Sequence, residues 1–423
     1  MNLGTLMIIL LFAFILLGMP VAYAIGMASV AAIVYGNMEL IIVPQKMLAG
    51  VDSFPLLAVP FFALAGNLMT AGGINKKIMD FAGAVAGWLT GSKAIITVVA
   101  SAIFAAISGS GTATVSAIGG ITIPTMKEEG YSPEFAAAVS SSASILGPLI
   151  PPSVIMIVYG NATQSSVADL FKAAVIPGIL LTVLFVVYSV YYAKKNKLPT
   201  TGRLSLREIG HETKKSIWAL LMPVLIIGGI FGGVFTPTEA AAVIVVYAFL
   251  IGIFVYKELT WKALPQIILE SGITTASIMI LVSASKISSW VLAAGRVPEA
   301  IAKAILGVSD NPVVILLMIN ILLLIVGMLM EANVAVLIFT PILLPLAAAA
   351  GVGTIQLGVI MCVNLCLGLI TPPVGLCLLL GNNLAGAQFS RTFRQTMPFI
   401  IIALLVLMLT TYIPQVSLWL PGL

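Results

Sequence analysis

Leu146-Gly147-Pro148-Leu149-Ile150-Pro151-Pro152-Ser153 and Gly368-Leu369-Ile370-Thr371-Pro372-Pro373 are the stretches on which the reading of the fold turns. Each interrupts a long apolar segment. Proline lacks a backbone N–H and clashes with the preceding turn, so a helix must break there and leave carbonyls without helical partners. The two stretches are 221 residues apart, and the same offset aligns 106–177 with 327–398 without a gap. Eleven of those 72 positions are identical, and eight of the eleven are Gly, Pro or Asn, among them Pro124/Pro345, Gly147/Gly368, Asn161/Asn382 and Pro177/Pro398. Pro44-Gln45 and Pro265-Gln266 fall at the same offset. Chance apolar likeness would pair Leu with Leu. Matched backbone breakers mean that the same interruptions are built twice.

The surrounding composition says in what medium. The chain has 423 residues, 60% hydrophobic and 8% charged, with a mean hydropathy of +1.16. A soluble domain carries about 25% charged residues, so a soluble enzyme is excluded. Apolar segments amount to about ten to twelve spans of roughly 20 residues. They are predicted at 3–19, 21–37, 55–72, 94–126, 134–164 and 174–193, then at 217–234, 238–256, 272–295, 313–346, 355–384 and 398–416. The stretches 75–90 and 298–307 are expected along the interface. Residues 5–18 with Ala22-Tyr23-Ala24 resemble a signal peptide, but no Lys or Arg precedes them and further apolar segments follow at once, so a first transmembrane helix is expected. The polar stretch 194–215, with seven Lys/Arg, separates a first repeat, 1–193, from a second, 216–423.

Charge tests the orientation. With 194–215 cytoplasmic and with 94–126 and 313–346 as re-entrant hairpins, each repeat crosses an odd number of times, so the second is inverted. Fifteen of the twenty basic residues then fall on the cytoplasmic side, as the positive-inside rule demands. Both termini are expected to be periplasmic. The net charge of +5 thus reflects membrane orientation, not nucleic-acid binding. The expected fold is an all-α polytopic membrane protein of two inverted repeats with re-entrant hairpins and broken helices. Such paired interruptions point to a transporter with a midplane site at the repeat interface. The elements expected to form the site lie at about 94–164 and 313–384.

The chemistry follows from the tips and the breaks. The first hairpin turns at Ser108-Gly109-Ser110-Gly111-Thr112, where hydroxyls and freed carbonyls offer oxygen ligands for a hard cation and free N–H groups suit an anion. The second turns at Gly327-Met328-Leu329-Met330-Glu331-Ala332-Asn333. A carboxylate at the bilayer centre costs on the order of 3 kcal/mol, so Glu331 is functional by default, the competing reading being a structural pair with Asn333. Ser110 and Glu331 are equivalent under the offset, so the substrate site is expected between the tips, at Ser110, Ser153, Glu331 and Asn333. Lys286 lies within a span and can snorkel or make a structural pair. Gly228-Gly229 and Gly232-Gly233 carry G-x-x-x-G spacings that suit close helix approach, and Thr236 or Thr238 can cap the next helix before Glu239. Cys362, Cys366 and Cys377 read as small packing residues. The one histidine, His211, lies in the charged stretch, no catalytic constellation stands within the membrane, and there is no nucleotide-binding G-x-x-x-x-G-K-[ST] motif. Neither an enzyme nor an ATP-driven pump is expected.

The chain resembles the large membrane subunit of the tripartite ATP-independent periplasmic (TRAP) transporters, the DctM-like group. The likeness spans the chain and rests on Gly18–Ala22, Phe54–Asn67, Ser108–Thr112, Gly147–Ser153, Phe235–Ala242 and Gly368–Gly375. It implies sodium-coupled uptake of an organic acid, such as a C4-dicarboxylate or sialic acid, across the bacterial inner membrane. It also implies a periplasmic binding protein and a small four-helix membrane subunit as partners, and an elevator motion in the lipid bilayer. By the same resemblance, one Na+ site matches Ser108, Thr112, Gly147 and Pro151, and a second matches Gly327, Gly368, Thr371 and Val374. Sialic-acid members of the group carry Asp where this chain has Glu331. A self-sufficient sodium/carboxylate symporter on a similar fold is the competing reading.

Overall fold

A computed structural model describes residues 3–198, 205–307 and 309–422, which are helical with no strand among them. The first half runs α1 (Leu3–Leu16), α2 (Val21–Tyr35), α3 (Ile42–Val51), α4 (Ala58–Ala71), α5 (Ile74–Ala86), α6 (Ser92–Ser108), α7 (Gly111–Thr114), α8 (Gly120–Glu128), α9 (Pro133–Ser144), α10 (Leu146–Leu149), α11 (Val154–Thr163) and α12 (Val167–Lys195). The second half repeats that order of hairpin, broken helix and closing span. It comprises α13 (Leu206–Phe231), α14 (Pro237–Leu250), α15 (Leu264–Ala294), α16 (Val297–Leu306), α17 (Pro312–Leu329), α18 (Ala332–Ala349), α19 (Thr354–Gly368), α20 (Leu376–Ala385) and α21 (Phe389–Tyr412). Among the described residues, nine segments are long and apolar enough to cross a membrane.

α6 turns at Gly109, φ +61°, into α7, which continues through a wide turn at Val115–Gly119 into α8. This is the first hairpin, and α17 with α18 is the second. Each is followed by a helix that breaks where the prolines stand: α9–α10 before Ile150–Ser153, and α19 before Leu369–Gly375. The Pro151-Pro152 and Pro372-Pro373 bonds are both cis. Short polar side chains restart the helices. Ser132, Ser153, Ser166 and Thr236 each accept a backbone N–H at a helix start. At Thr236 the box is complete, with Glu239 reaching back to the Thr236 N–H at 2.8 Å, while Thr238 instead donates to the Phe54 carbonyl.

The hairpins and broken helices form the centre. α6 packs on α9, α10 and α12; α17 and α18 pack on α19; and α11 packs on α18. Of the segments that can span, Pro133–Thr163 is the most enclosed, 89% buried in its apolar window. α1, α2 and α3 gather on α15, α4 on α14 and α15, and α5 on α13. α1 and α2 are both packed helices, with Ala24 fully buried inside α2, so the Ala22–Ala24 triplet is helical here.

Several helices run further than the sequence reading gave them. α12 runs on to Lys195 and α13 starts at Leu206 behind the cap Ser205, so residues 194–195 and 206–215 of the polar stretch are helical and His211 lies on α13. The connecting residues 199–204 lie outside the described residues. α12, α15 and α21 begin at Val167, Leu264 and Phe389, earlier than 174, 272 and 398. Charged and hydroxyl residues near helix ends lower hydropathy without breaking the helix, so hydropathy finds the apolar middle and not the ends. α3 was in no predicted span. Among the described residues, the G-x-x-x-G stretch makes no close helix crossing. Gly228 faces open space and Gly229 makes room for the Phe235 ring.

Candidate functional site

A cavity of about 430 Å³ lies where the two hairpin tips, the broken helices, α4 and α15 meet. Ser108–Ala113 and Ser116 line it from the first hairpin, Glu331–Asn333 from the second, and Pro148, Val154, Ile155, Leu369 and Leu376 from the breaks. Gly66, Asn67 and Thr70 of α4 and Thr274 of α15 complete the wall. Residues 221 apart in sequence thus share one site, the convergence that inverted repeats require. Its size is in the range of small-molecule pockets, roughly 300–1,000 Å³. Among the described residues, the lining has one formal charge, Glu331.

The first tip is held by backbone contact. A Cβ on Gly109 would lie 2.7 Å from the Pro152 carbonyl oxygen, and one on Gly147 would lie 2.5 Å from the Ser110 carbonyl oxygen and 2.8 Å from Thr114 Oγ1. Only glycine permits both approaches. Ser110 caps α7 by accepting from the Ala113 N–H at 3.4 Å, and its hydroxyl pairs with that of Thr112 at 3.2 Å on the cavity side. The first N–H groups of a helix have no partner within it. Those of Gly111 and Thr112 lie at the cavity wall and take part in no hydrogen bond among the described residues.

The second tip has the opposite character. Glu331 caps α18, with Oε2 accepting from the Asn333 N–H at 3.1 Å and the Val334 N–H at 3.3 Å, and Oε1 accepting from Asn333 Nδ2 at 2.7 Å. The carboxylate therefore occupies the positive end of its own helix. It also borders a smaller cavity of about 50 Å³, lined by Gly327, Gly368, Val374 and Gly375. There Gly368 presses on the Gly327 backbone, where a Cβ would fall 2.2 Å from its carbonyl carbon.

These contacts sort the residues singled out from sequence. Ser110, Glu331 and Asn333 come together at the central cavity, and Ser108 and Thr112 line it too. Gly327, Gly368 and Val374 come together at the small one. Ser153 does not join them. It is fully buried, donates to the Pro148 carbonyl and accepts from the Met156 N–H, so its hydroxyl is spent on capping α11. Pro151 is buried and lines neither cavity. Thr371 also lines neither, and its hydroxyl donates to Leu367 O at 2.7 Å.

Thr114, not Thr112, shares the interior with Ser108 and Gly147. Its hydroxyl lies 3.3 Å from that of Ser108 and donates to Ser110 O at 2.7 Å. The Ser108–Thr112 motif stops two residues short of it because α7 turns the chain back on itself. Asn67, Thr70 and Thr274 were also missed as site residues. Asn67 Nδ2 donates to Ser271 Oγ at 2.9 Å, tying α4 to α15 beside the cavity, and a polar residue late in an apolar span was the signal. All three cysteines are free and buried.

A family model described as "Tripartite ATP-independent periplasmic transporter, DctM component" matches residues 8–416. The C4-dicarboxylate TRAP transporter large permease protein DctM of Pseudomonas aeruginosa is 43% identical over 377 residues, covering 89% of this chain and 88% of that one. The sialic acid TRAP transporter large permease protein SiaM of Vibrio cholerae is 38% identical, covering 96% and 95%. The isethionate TRAP transporter permease protein DctMQ of Oleidesulfovibrio alaskensis is 40% identical over 97% of this chain, which spans 65% of that longer protein. Among solved structures, the YdaH transporter of Alcanivorax borkumensis, described as having an unusual topology, shares the fold with a TM-score of 0.63 at 14% identity, over 90% of this chain and 89% of that one.

Proposed function

The chain belongs to the DctM component family of the TRAP transporters, and from that premise we propose that it is the large permease subunit of a sodium-coupled importer of an organic carboxylate. The observation that carries this reading is the charge of the central cavity, whose only charged lining residue is Glu331. An anion entering that space meets a like charge in surroundings of low dielectric, which costs free energy unless cations enter with it. Oxygen-lined interruptions next to the cavity suit sodium. One candidate set is Ser108, Thr114, Gly147 and nearby carbonyls, with Thr112 and Pro151 as the outer members suggested by resemblance. The other is Gly327, Gly368, Val374 and Glu331, with Thr371 behind. The uncapped N–H groups of Gly111 and Thr112, beside the Ser110 hydroxyl, suit the substrate carboxylate.

The cavity lies between the hairpins and α4 with α15. That supports an elevator motion in which the elements within 94–164 and 313–384 slide against the outer helices. The family's tripartite description and the longer relative named DctMQ support a small membrane subunit and a periplasmic binding protein as partners. The inner membrane, with both termini periplasmic, is the location that the charge bias supports. Relatives named for C4-dicarboxylates, sialic acid and isethionate bracket the substrate as a small organic acid.

The test is reconstitution into proteoliposomes with candidate partner subunits and radiolabelled succinate or sialic acid. Uptake is expected to require inward sodium. Uptake that persists with potassium on both sides would remove the coupling ion from the proposal. Uptake by the lone chain would favour a self-sufficient symporter.

A further inference from the structure

Lys286 takes no part in the central site. It lies on α15, within the apolar part of the helix, and among the described residues it forms no ion pair or hydrogen bond. Beside it is a separate cavity of about 90 Å³, between α3 and α15 on one side and α11 and α18 on the other. Asn161, Ser285, Ser289 and Thr340 share its wall with Lys286. Ser285 is 1% exposed, and among the described residues its hydroxyl has no hydrogen-bond partner. A Cβ on Gly50 would sit 3.0 Å from the Lys286 Cβ, so α3 closes tightly over the base of the lysine.

The repeat indicates that this polarity is an addition to one half. Under the 221-residue offset, Ser285, Lys286 and Ser289 correspond to Leu64, Ala65 and Leu68. Asn161 corresponds to Asn382, whose amide oxygen accepts from Thr392 at 2.7 Å. The position equivalent to Thr392 holds Phe171, which has no hydroxyl to offer, and the Asn161 side chain is left facing the cavity.

We infer that this cavity is a binding site for one small monoanion, either a carboxylate group or a halide, held by the Lys286 ammonium with the Ser285 hydroxyl and the Asn161 amide as donors. Lys286 is half-buried, a lysine charge within a span is stabilised by a counter-charge, and among the described residues no carboxylate lines the cavity. A cation would be repelled by Lys286. The volume exceeds the roughly 10–15 Å³ that one water needs. It is too small for a whole sugar acid, so the ligand is a single anionic group or ion. The site does not depend on what the central cavity carries.

The test uses the purified full chain in detergent and reads its thermal-unfolding midpoint. Sodium chloride or sodium formate is titrated at constant sodium and ionic strength, with the balance made up by gluconate, which is too large to enter. A saturable rise of several degrees is expected, with chloride alone marking a halide site and formate alone a carboxylate site. Lys286→Met and Lys286→Gln are expected to abolish it, and Ser285→Ala to weaken half-saturation about tenfold. No saturable rise with either anion, or a rise retained by both lysine variants, overturns the inference. Should the lysine variants not fold, unchanged half-saturation in Ser285→Ala overturns it equally.

Discussion

At the scale of single residues, Glu331 is the sharpest case. Its two oxygens take three N–H donors from its own helix and Asn333, and it borders both the central and the smaller cavity. A carboxylate so engaged is poorly placed to receive a substrate donor and well placed to balance a cation next to Gly327 and Gly368. Glu331→Gln is therefore expected to raise the sodium concentration for half-maximal uptake several-fold while leaving the substrate KM within about twofold, and to lose roughly 0.5–2 kcal/mol of stability with the weakened cap. A changed KM at unaltered sodium dependence would assign it to the substrate instead. The first hairpin makes a paired prediction. Thr114→Ala removes the hydroxyl beside Ser108 and should weaken sodium activation. Thr112→Ala, whose hydroxyl lies with Ser110 at the cavity, should act on substrate KM. Titrating uptake separately with sodium and substrate checks both, and reversed phenotypes would restore Thr112 to the cation.

At the scale of elements, the breaks were legible because proline and glycine act through the backbone, and their effect is local. No tertiary context could carry a regular helix through Pro151-Pro152. What stayed hidden depends on where a chain goes after it turns. Thr114 joins Ser108 only once α7 has folded back, and Ser153 looked like a ligand although a serine before an apolar helical run is also the ordinary signal for a cap. The repeat glycines carry a prediction of their own. A methyl at Gly147 or Gly368 meets backbone atoms at 2.5 Å and 2.2 Å, which cannot swing aside as a side chain can. Gly147→Ala and Gly368→Ala should each cost roughly 1–3 kcal/mol or more. Gly120→Ala, on an exposed helical position with open space around it, should be neutral or gain about 0.5–1 kcal/mol from helix propensity. Melting of the three purified variants separates them, and equal losses would mean that the tips are not packed by backbone contact.

At the scale of the whole molecule, the two halves place unlike chemistry at equivalent positions. Ser110 faces Glu331 across the cavity, so one tip offers uncapped N–H groups and the other a fixed negative charge. On the proposed sodium-coupled reading, the charge that crosses is the sum of the substrate and its sodium ions. A monoanion carried with two sodium ions moves one net positive charge inward, and a dianion needs a third sodium for the same result. Each charge crossing the full field gains about 2.3 kcal/mol per 100 mV, enough to raise the accumulation ratio roughly fifty-fold. Imposing an inside-negative potassium diffusion potential with valinomycin on proteoliposomes that contain the permease and its partners should therefore speed the initial sodium-driven uptake. Dissipating that potential should slow it at an unchanged sodium gradient. An initial rate indifferent to potential would mean that the sodium and substrate charges cancel, as with two sodium ions and a dianion, and Glu331 would then serve to hold its hairpin rather than to recruit an additional cation.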